Sequence, residues 1–170
     1  MIDYQAQAKQ FLADCNATME INFIGKEVPT NWFGETKPHN KYQFTITTPK
    51  GKYTNVFWDS LFRTEVSEMT AEDFAKKKYK AHYQDLTMYH KSSVLRDLKS
   101  LKAKAVPTEY DVLACVEKYG YDSFSDFCAE FGYSTDSISA REIFLACGEE
   151  YAGLRRIFTE EQMEKLREIN

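Results

Sequence analysis

Apolar positions along the chain change period twice, and each change marks a different kind of element. From Asp3 to Cys15, Tyr4, Ala8, Phe11, Leu12 and Cys15 fall at i, i+4, i+7, i+8 and i+11, which predicts an amphipathic helix with one face to bury. The period then shortens to two. Met19, Ile21 and Phe23 alternate with polar neighbours over Thr18 to Gly25, and Tyr42, Phe44 and Ile46 do the same over Lys41 to Thr48. A Pro-Lys-Gly turn follows, and alternation resumes from Lys52 to Trp58 with Tyr53, Val56, Phe57 and Trp58, so these residues predict a strand and then a hairpin.

After Phe62 the helical period returns. Thr70 is an N-cap with Glu72 and Asp73 in the first turn, which predicts a helix from Ala71 to about Tyr83. Val94, Leu95, Leu98 and Leu101 predict a second helix within Met88 to Ala105, closed by Pro107. Thr108 caps a helix burying Val112, Leu113 and Val116, with Gly120 as its left-handed stop. In the stretch YGYDSFSDFCAEFGYSTDS, Ser123 is an N-cap, Phe124, Phe127, Cys128 and Phe131 form one face, and Gly132 is the stop. Asp136 or Ser137 caps the next helix, which carries Ile143, Phe144, Cys147, Tyr151, Leu154 and Phe158; Thr159 and Gln162 form a capping box for a last one with Met163, Leu166 and Ile169.

The expected architecture is therefore α+β: an N-terminal helix on a small antiparallel sheet, then a helical C-terminal half. Three segments are expected: 1–64 (helix and sheet), 65–106 (basic, helical) and 107–170 (acidic, helical), the last forming a unit with the first. Of the aromatic residues, Phe57 and Trp58 read as core, whereas Trp32 and Phe33 fit either core or an interaction patch.

Composition narrows the class. With 43% hydrophobic residues, 15% aromatics and only seven glycines and four prolines in 170 residues, the chain has the material for a packed core. It has no apolar run near the ~20 residues of a membrane span, and MIDYQAQAKQ lacks the basic-then-apolar pattern of an export signal, so a soluble, cytoplasmic protein is expected. The four cysteines have no zinc spacing and read as reduced thiols; a Cys115 to Cys128 disulfide fits the spacing but not the compartment. His39 reads as a loop residue, and His82 and His90 as flanking a helix break. The chain holds no nucleophile-elbow, phosphate-loop or zinc-protease motif, so no catalytic residue, metal or cofactor is assigned, and the protein is not expected to be an enzyme.

Charge alters the picture most. Residues 76–104 carry 9 basic against 2 acidic side chains, and residues 105–170 carry 6 against 14, so a net charge of −4 conceals a basic middle and an acidic end. Two candidate surfaces follow. Asp122, Asp126 and Glu130 at i, i+4 and i+8, with Glu149 and Glu150, read as a solvated face or as an acidic docking surface for a basic partner. Lys76, Lys77, Lys78 and Lys80 interleaved with Tyr79 and Tyr83 read as solvated helix, as a counterpart of the acidic helices, or as a strip for phosphates and bases of DNA or RNA.

The passage PTEYDVLACVEKYGYDSFSDFCAEFGYSTDSISAREIFLACGEEYAGLRRIFTEEQMEKLREI resembles the C-terminal part of a group of small proteins encoded by phages and prophages of gut bacteria. The resemblance extends more loosely to the N-terminal helix, strand and hairpin, and is weakest between Glu65 and Lys91. Some phage proteins of this size look like anti-defence factors, including anti-CRISPR proteins that bind a nuclease stoichiometrically. The resemblance thus implies a non-enzymatic inhibitor whose partner is a host defence nuclease or its nucleic-acid complex. It transfers no catalytic residue.

Overall fold

Asp3 opens the first helix by accepting a hydrogen bond from the backbone N–H of Ala6 at 2.9 Å, and α1 runs from Tyr4 to Asp14. The computed structural model describes residues 1–29, 34–114 and 121–169. Three antiparallel strands follow: β1 (Thr18–Glu27), β2 (His39–Thr48) and β3 (Gly51–Trp58), in the order β1-β2-β3. The helices are α2 (Leu61–Glu68), α3 (Ala71–Tyr79), α4 (Met88–Lys104), α5 (Glu109–Leu113), α6 (Phe124–Phe131), α7 (Ile138–Ile157) and α8 (Glu160–Arg167), with a 3-10 turn at Tyr83–Asp85. The fold is α+β, as the pattern predicts.

The chain divides into two compact units, one of Met1–Trp58 with Thr108–Asn170 and one of Asp59–Pro107. In the first, strand register sorts the side chains. Ile46 sits opposite Met19 and Tyr53, Phe44 opposite Ile21 and Asn55, and Tyr42 opposite Phe23 and Phe57, so these residues share one face. That face packs on Ala8, Phe11 and Leu12 of α1, Val112 and Leu113 of α5, Leu154 and Ile157 of α7, and Met163 and Leu166 of α8. The other face carries Glu20, Asn22, Gln43, Thr45, Lys52 and Thr54, with the Thr45 and Thr54 hydroxyls 3.0 Å apart. A sheet covered on one side needs this alternation.

Helix α7 meets β3 closely at Gly153. A Cβ there would lie 2.6 Å from Cζ and 2.7 Å from Cδ2 of the Tyr53 ring, so only glycine admits the ring. A satellite core joins α6 to α7, built from Phe127, Cys128 and Ala140 with Tyr121, Phe124, Tyr133 and Phe144 around them.

The second unit is smaller. Ser60 caps α2, accepting from Arg63 N–H at 3.2 Å, and Thr70 and Asp73 form a capping box on α3. Val66, Ala75, Val94, Leu98 and Ala105 are its buried apolar side chains, and Asp59, Thr64 and Ser93 are buried too.

Three local expectations are corrected. Helix α2 lies where no element was read. Helix α3 stops at Tyr79, because Lys80 takes a left-handed conformation (φ +56°) and the Glu72 carboxylate binds the next turn, accepting from Tyr83 N–H at 2.8 Å beside His82 Nδ1 at 2.6 Å. His39 is not in a loop: it begins β2, is buried, and places Nε2 3.0 Å from Glu35 Oε2. The readings placed on Trp32, Phe33, Cys115, Val116 and Gly120 lie outside the described residues.

Candidate functional site

The acidic surface is organised by two helix starts. Ser123 opens α6 by accepting from the Asp126 N–H at 3.1 Å, and its hydroxyl donates to the Asp126 carboxylate at 2.7 Å. Asp126 is therefore part of a cap, where its charge also meets the positive helix end. Because Ser123 is the cap, Asp122 precedes the helix, so the three-carboxylate stripe reduces to Asp126 and Glu130 on α6 with Asp122 beside it. All three remain exposed. Gly132 ends the helix at φ +70°, in the conformation that glycine adopts without strain.

Ser137 opens α7 in the same way, accepting from Ala140 N–H at 3.1 Å. Glu149 and Glu150 diverge along α7. Glu149 is exposed and lines a shallow groove of about 430 Å³ with Tyr53, Thr54, Asn55, Ala152 and Arg156, while Glu150 is half-buried. The Tyr53 hydroxyl accepts from Asn55 Nδ2 at 2.8 Å. Burial, and next the charge of Glu150, push this phenol up to about 12, so it stays protonated across the physiological range.

Sequence reasoning missed the apolar half of this surface. Ile138 and Leu145 are 77% and 58% exposed, and with Glu142 and Glu149 they form a row at i, i+4, i+7 and i+11 on α7. The signal was present in the spacing, but the row through Ile143, Phe144, Cys147, Tyr151 and Leu154 accounts for the helix without it. Helix α7 thus carries one covered apolar row and one uncovered row in which aliphatic and acidic residues alternate.

The basic segment is less unified in space than in sequence. Lys76 pairs with Glu72 at 3.3 Å, and Lys78 pairs with Asp97 of α4 at 2.6 Å. That second contact raises the Lys78 ammonium above the ordinary lysine value and, with Arg96, holds the Asp97 carboxyl below the carboxylate range. Tyr79 packs on the His90 ring at 4.9 Å, and Lys91 lies 5.8 Å from the Tyr83 ring. Lys77 and Lys80 are exposed, but Lys80 sits past the helix end, so the four lysines share no single helical face.

Among the described residues no group of three or more histidines, cysteines or carboxylates is placed to hold a metal ion, and no helix is long and apolar enough to cross a membrane. Comparison with protein-family models, with curated proteins and with solved structures yields no match.

Proposed function

We propose that this protein acts by stoichiometric binding, as a phage or prophage accessory protein whose acidic α6–α7 surface occupies a positively charged groove of a host defence nuclease. One observation carries the reading. Exposed carboxylates at Glu142 and Glu149 alternate on α7 with uncovered aliphatic side chains at Ile138 and Leu145, and Asp122, Asp126 and Glu130 are exposed on and before α6, a mixture of charge for steering and apolar area for contact. A groove that accepts nucleic acid has the complementary field. The resemblance to phage-encoded proteins makes a defence nuclease the partner to try first.

The test is titration of purified protein into cleavage reactions of the host's defence nucleases at about 0.15 M salt. The expected result is inhibition that saturates near one protein per nuclease and weakens when Glu142 and Glu149 are both changed to lysine. Failure to inhibit any of them, with no protection of phage or plasmid DNA in the host, refutes the reading. Salt-sensitive binding of DNA or RNA by the protein alone, lost when Lys77 and Lys80 are neutralised, moves the function to the basic unit.

A further inference from the structure

We infer that the outer edge of β1 is a dimer seam, at which β1 of a second copy adds antiparallel and the sheet continues across a two-fold axis. The inference is independent of the proposed α6–α7 surface, which it does not use.

Backbone geometry decides what the edge offers. Thr48 and Gly51 are partners across a two-residue turn, and a turn of that length is closed by a pair that exchanges both backbone hydrogen bonds. Such pairs alternate along a ladder, so Ile46, Phe44 and Tyr42 bond to β3, while Thr47, Thr45 and Gln43 turn their backbone groups to Thr18, Glu20 and Asn22 of β1. The N–H and C=O groups of Met19, Ile21 and Phe23 therefore point away from the sheet. Among the described residues nothing takes these N–H groups. On the opposite edge the same alternation turns Val56 outward, and there the Asn55 side chain accepts its N–H at 2.8 Å. One edge is blocked in its middle by its own side chain, and the other presents a row of open donors and acceptors.

The cover has to be a strand from another molecule. Among the described strands β2 is paired on both sides, and β3 lies beyond it. Self-complementarity then selects β1 of a second copy. An antiparallel partner must set outward residues against outward residues, which leaves few registers. Centred on Ile21, the pairing places Ile21 against Ile21 and Met19 against Phe23, which is 59% exposed in the single chain, so the apolar face of the sheet is extended. On the other face each Glu20 carboxylate meets the Asn22 amide of the second copy, which can donate to it. A register centred on Glu20 sets two carboxylates face to face, and one centred on Asn22 or Phe23 runs into the bulge between Phe23 and Gly25. The regular part of β1 thus fits itself in one register. A contact of one strand pair falls below the ~1,000 Å² of a stable interface, so association should be weaker than about 1 µM.

The test is sedimentation velocity on the full chain between roughly 5 and 500 µM, with amide hydrogen exchange at both ends of that range. The weight-average mass should rise above 19.8 kDa and follow a monomer–dimer equilibrium, because a two-fold contact closes on itself. Protection of the Met19, Ile21 and Phe23 amides should grow with concentration, and that of Glu20 and Asn22, already bonded to β2, should change less. Asn22→Glu sets a carboxylate against Glu20 at both ends of the seam and should weaken association by about threefold or more. Adding Glu20→Lys to it should restore association, with circular dichroism to check the fold of each variant. A constant monomer mass over the whole range overturns the inference. So does association that leaves the Met19, Ile21 and Phe23 amides unprotected, or that is the same in Asn22→Glu, or that the double change does not restore.

Discussion

Two glycines on one helix make opposite predictions when changed to alanine. Gly148 and Gly153 both lie inside α7, where alanine is favoured over glycine by about 1 kcal/mol because it restricts the unfolded chain. At Gly148 a Cβ meets nothing within 4 Å, so Gly148→Ala should realise most of that gain and stabilise the protein by roughly 0.5–1 kcal/mol. At Gly153 the new Cβ would stand 2.6 and 2.7 Å from two Tyr53 ring carbons, where carbon atoms prefer about 3.5–4.0 Å. Cε2 of the same ring would be closer still, so the ring or the helix must give by more than about 1 Å. Tyr53 is not free to turn away: its ring lies edge-on to Phe44 at 5.9 Å, and its hydroxyl accepts from Asn55. Overpacking of this kind costs about 1–3 kcal/mol, so after the helix gain Gly153→Ala should destabilise by up to about 2 kcal/mol.

The assay is urea unfolding followed by circular dichroism, comparing variants at equal slope. A double-mutant cycle isolates the cause. In a Tyr53→Thr background the ring is gone, and Gly153→Ala should turn stabilising, giving a coupling of about 1–3 kcal/mol between the two positions. The reasoning is refuted if Gly153→Ala stabilises the protein as much as Gly148→Ala, or if its cost persists once Tyr53 is threonine.

The satellite core should depend on Phe127, which is buried among five aromatic rings: Phe127→Ala should cost about 3–5 kcal/mol by thermal or urea unfolding, and a loss under about 1 kcal/mol would count against that packing. Ser123→Ala removes the oxygen that accepts from Asp126 N–H and should lower stability by about 1 kcal/mol, whereas Ser123→Asp, another good cap, should retain most of it. Glu72 has its pKa lowered from 4.5 to about 2, first by the Tyr83 N–H and then by His82. Its contribution is accordingly complete above pH 4.5 and disappears as the pH falls toward 2, so protection of the Tyr83 amide from hydrogen exchange, measured against the intrinsic rate at each pH, should fall across that window and lose this pH step in Glu72→Gln.

The parts of the fold that could be read from sequence are those where local signals agree. Ser123, the aromatic row and Gly132 each mark α6, and the alternation of Tyr42, Phe44 and Ile46 fixes which face of β2 is covered. Helix α2 gave no such agreement: in eight residues only Thr64 and Val66 are buried, too few to establish a period, and Phe62 is exposed. The end of α3 was hidden for another reason. No glycine marks it, and the stop depends on Glu72 reaching eleven residues ahead to Tyr83, a contact that spacing does not encode.

The candidate surface was legible in its charge and illegible in its shape. Counting carboxylates finds Glu130 and Glu149, but the Ser123 cap already excludes Asp122 from the helix, so the stripe and the cap were incompatible readings of the same residues. The lysine run shows the converse. Four near neighbours in sequence separate once Lys76 and Lys78 find partners on different elements and Lys80 leaves the helix.

The first unit is assembled from the two ends of the chain, with Asp59–Pro107 between them. During synthesis α1 and the sheet are therefore complete long before α5, α7 and α8, which cover the rest of its apolar face, exist. Phe44 and Ile46 must wait with only α1 on their apolar face until Leu154, Ile157, Met163 and Leu166 have been added, whereas α4 already has its partners α2 and α3. A ribosome stalled far enough past Pro107 to clear the middle unit from its exit tunnel, but before α8, would hold a middle unit ready to protect its amides and an N-terminal sheet exposed to chaperones and proteases. The order of assembly runs from the centre of the chain outward.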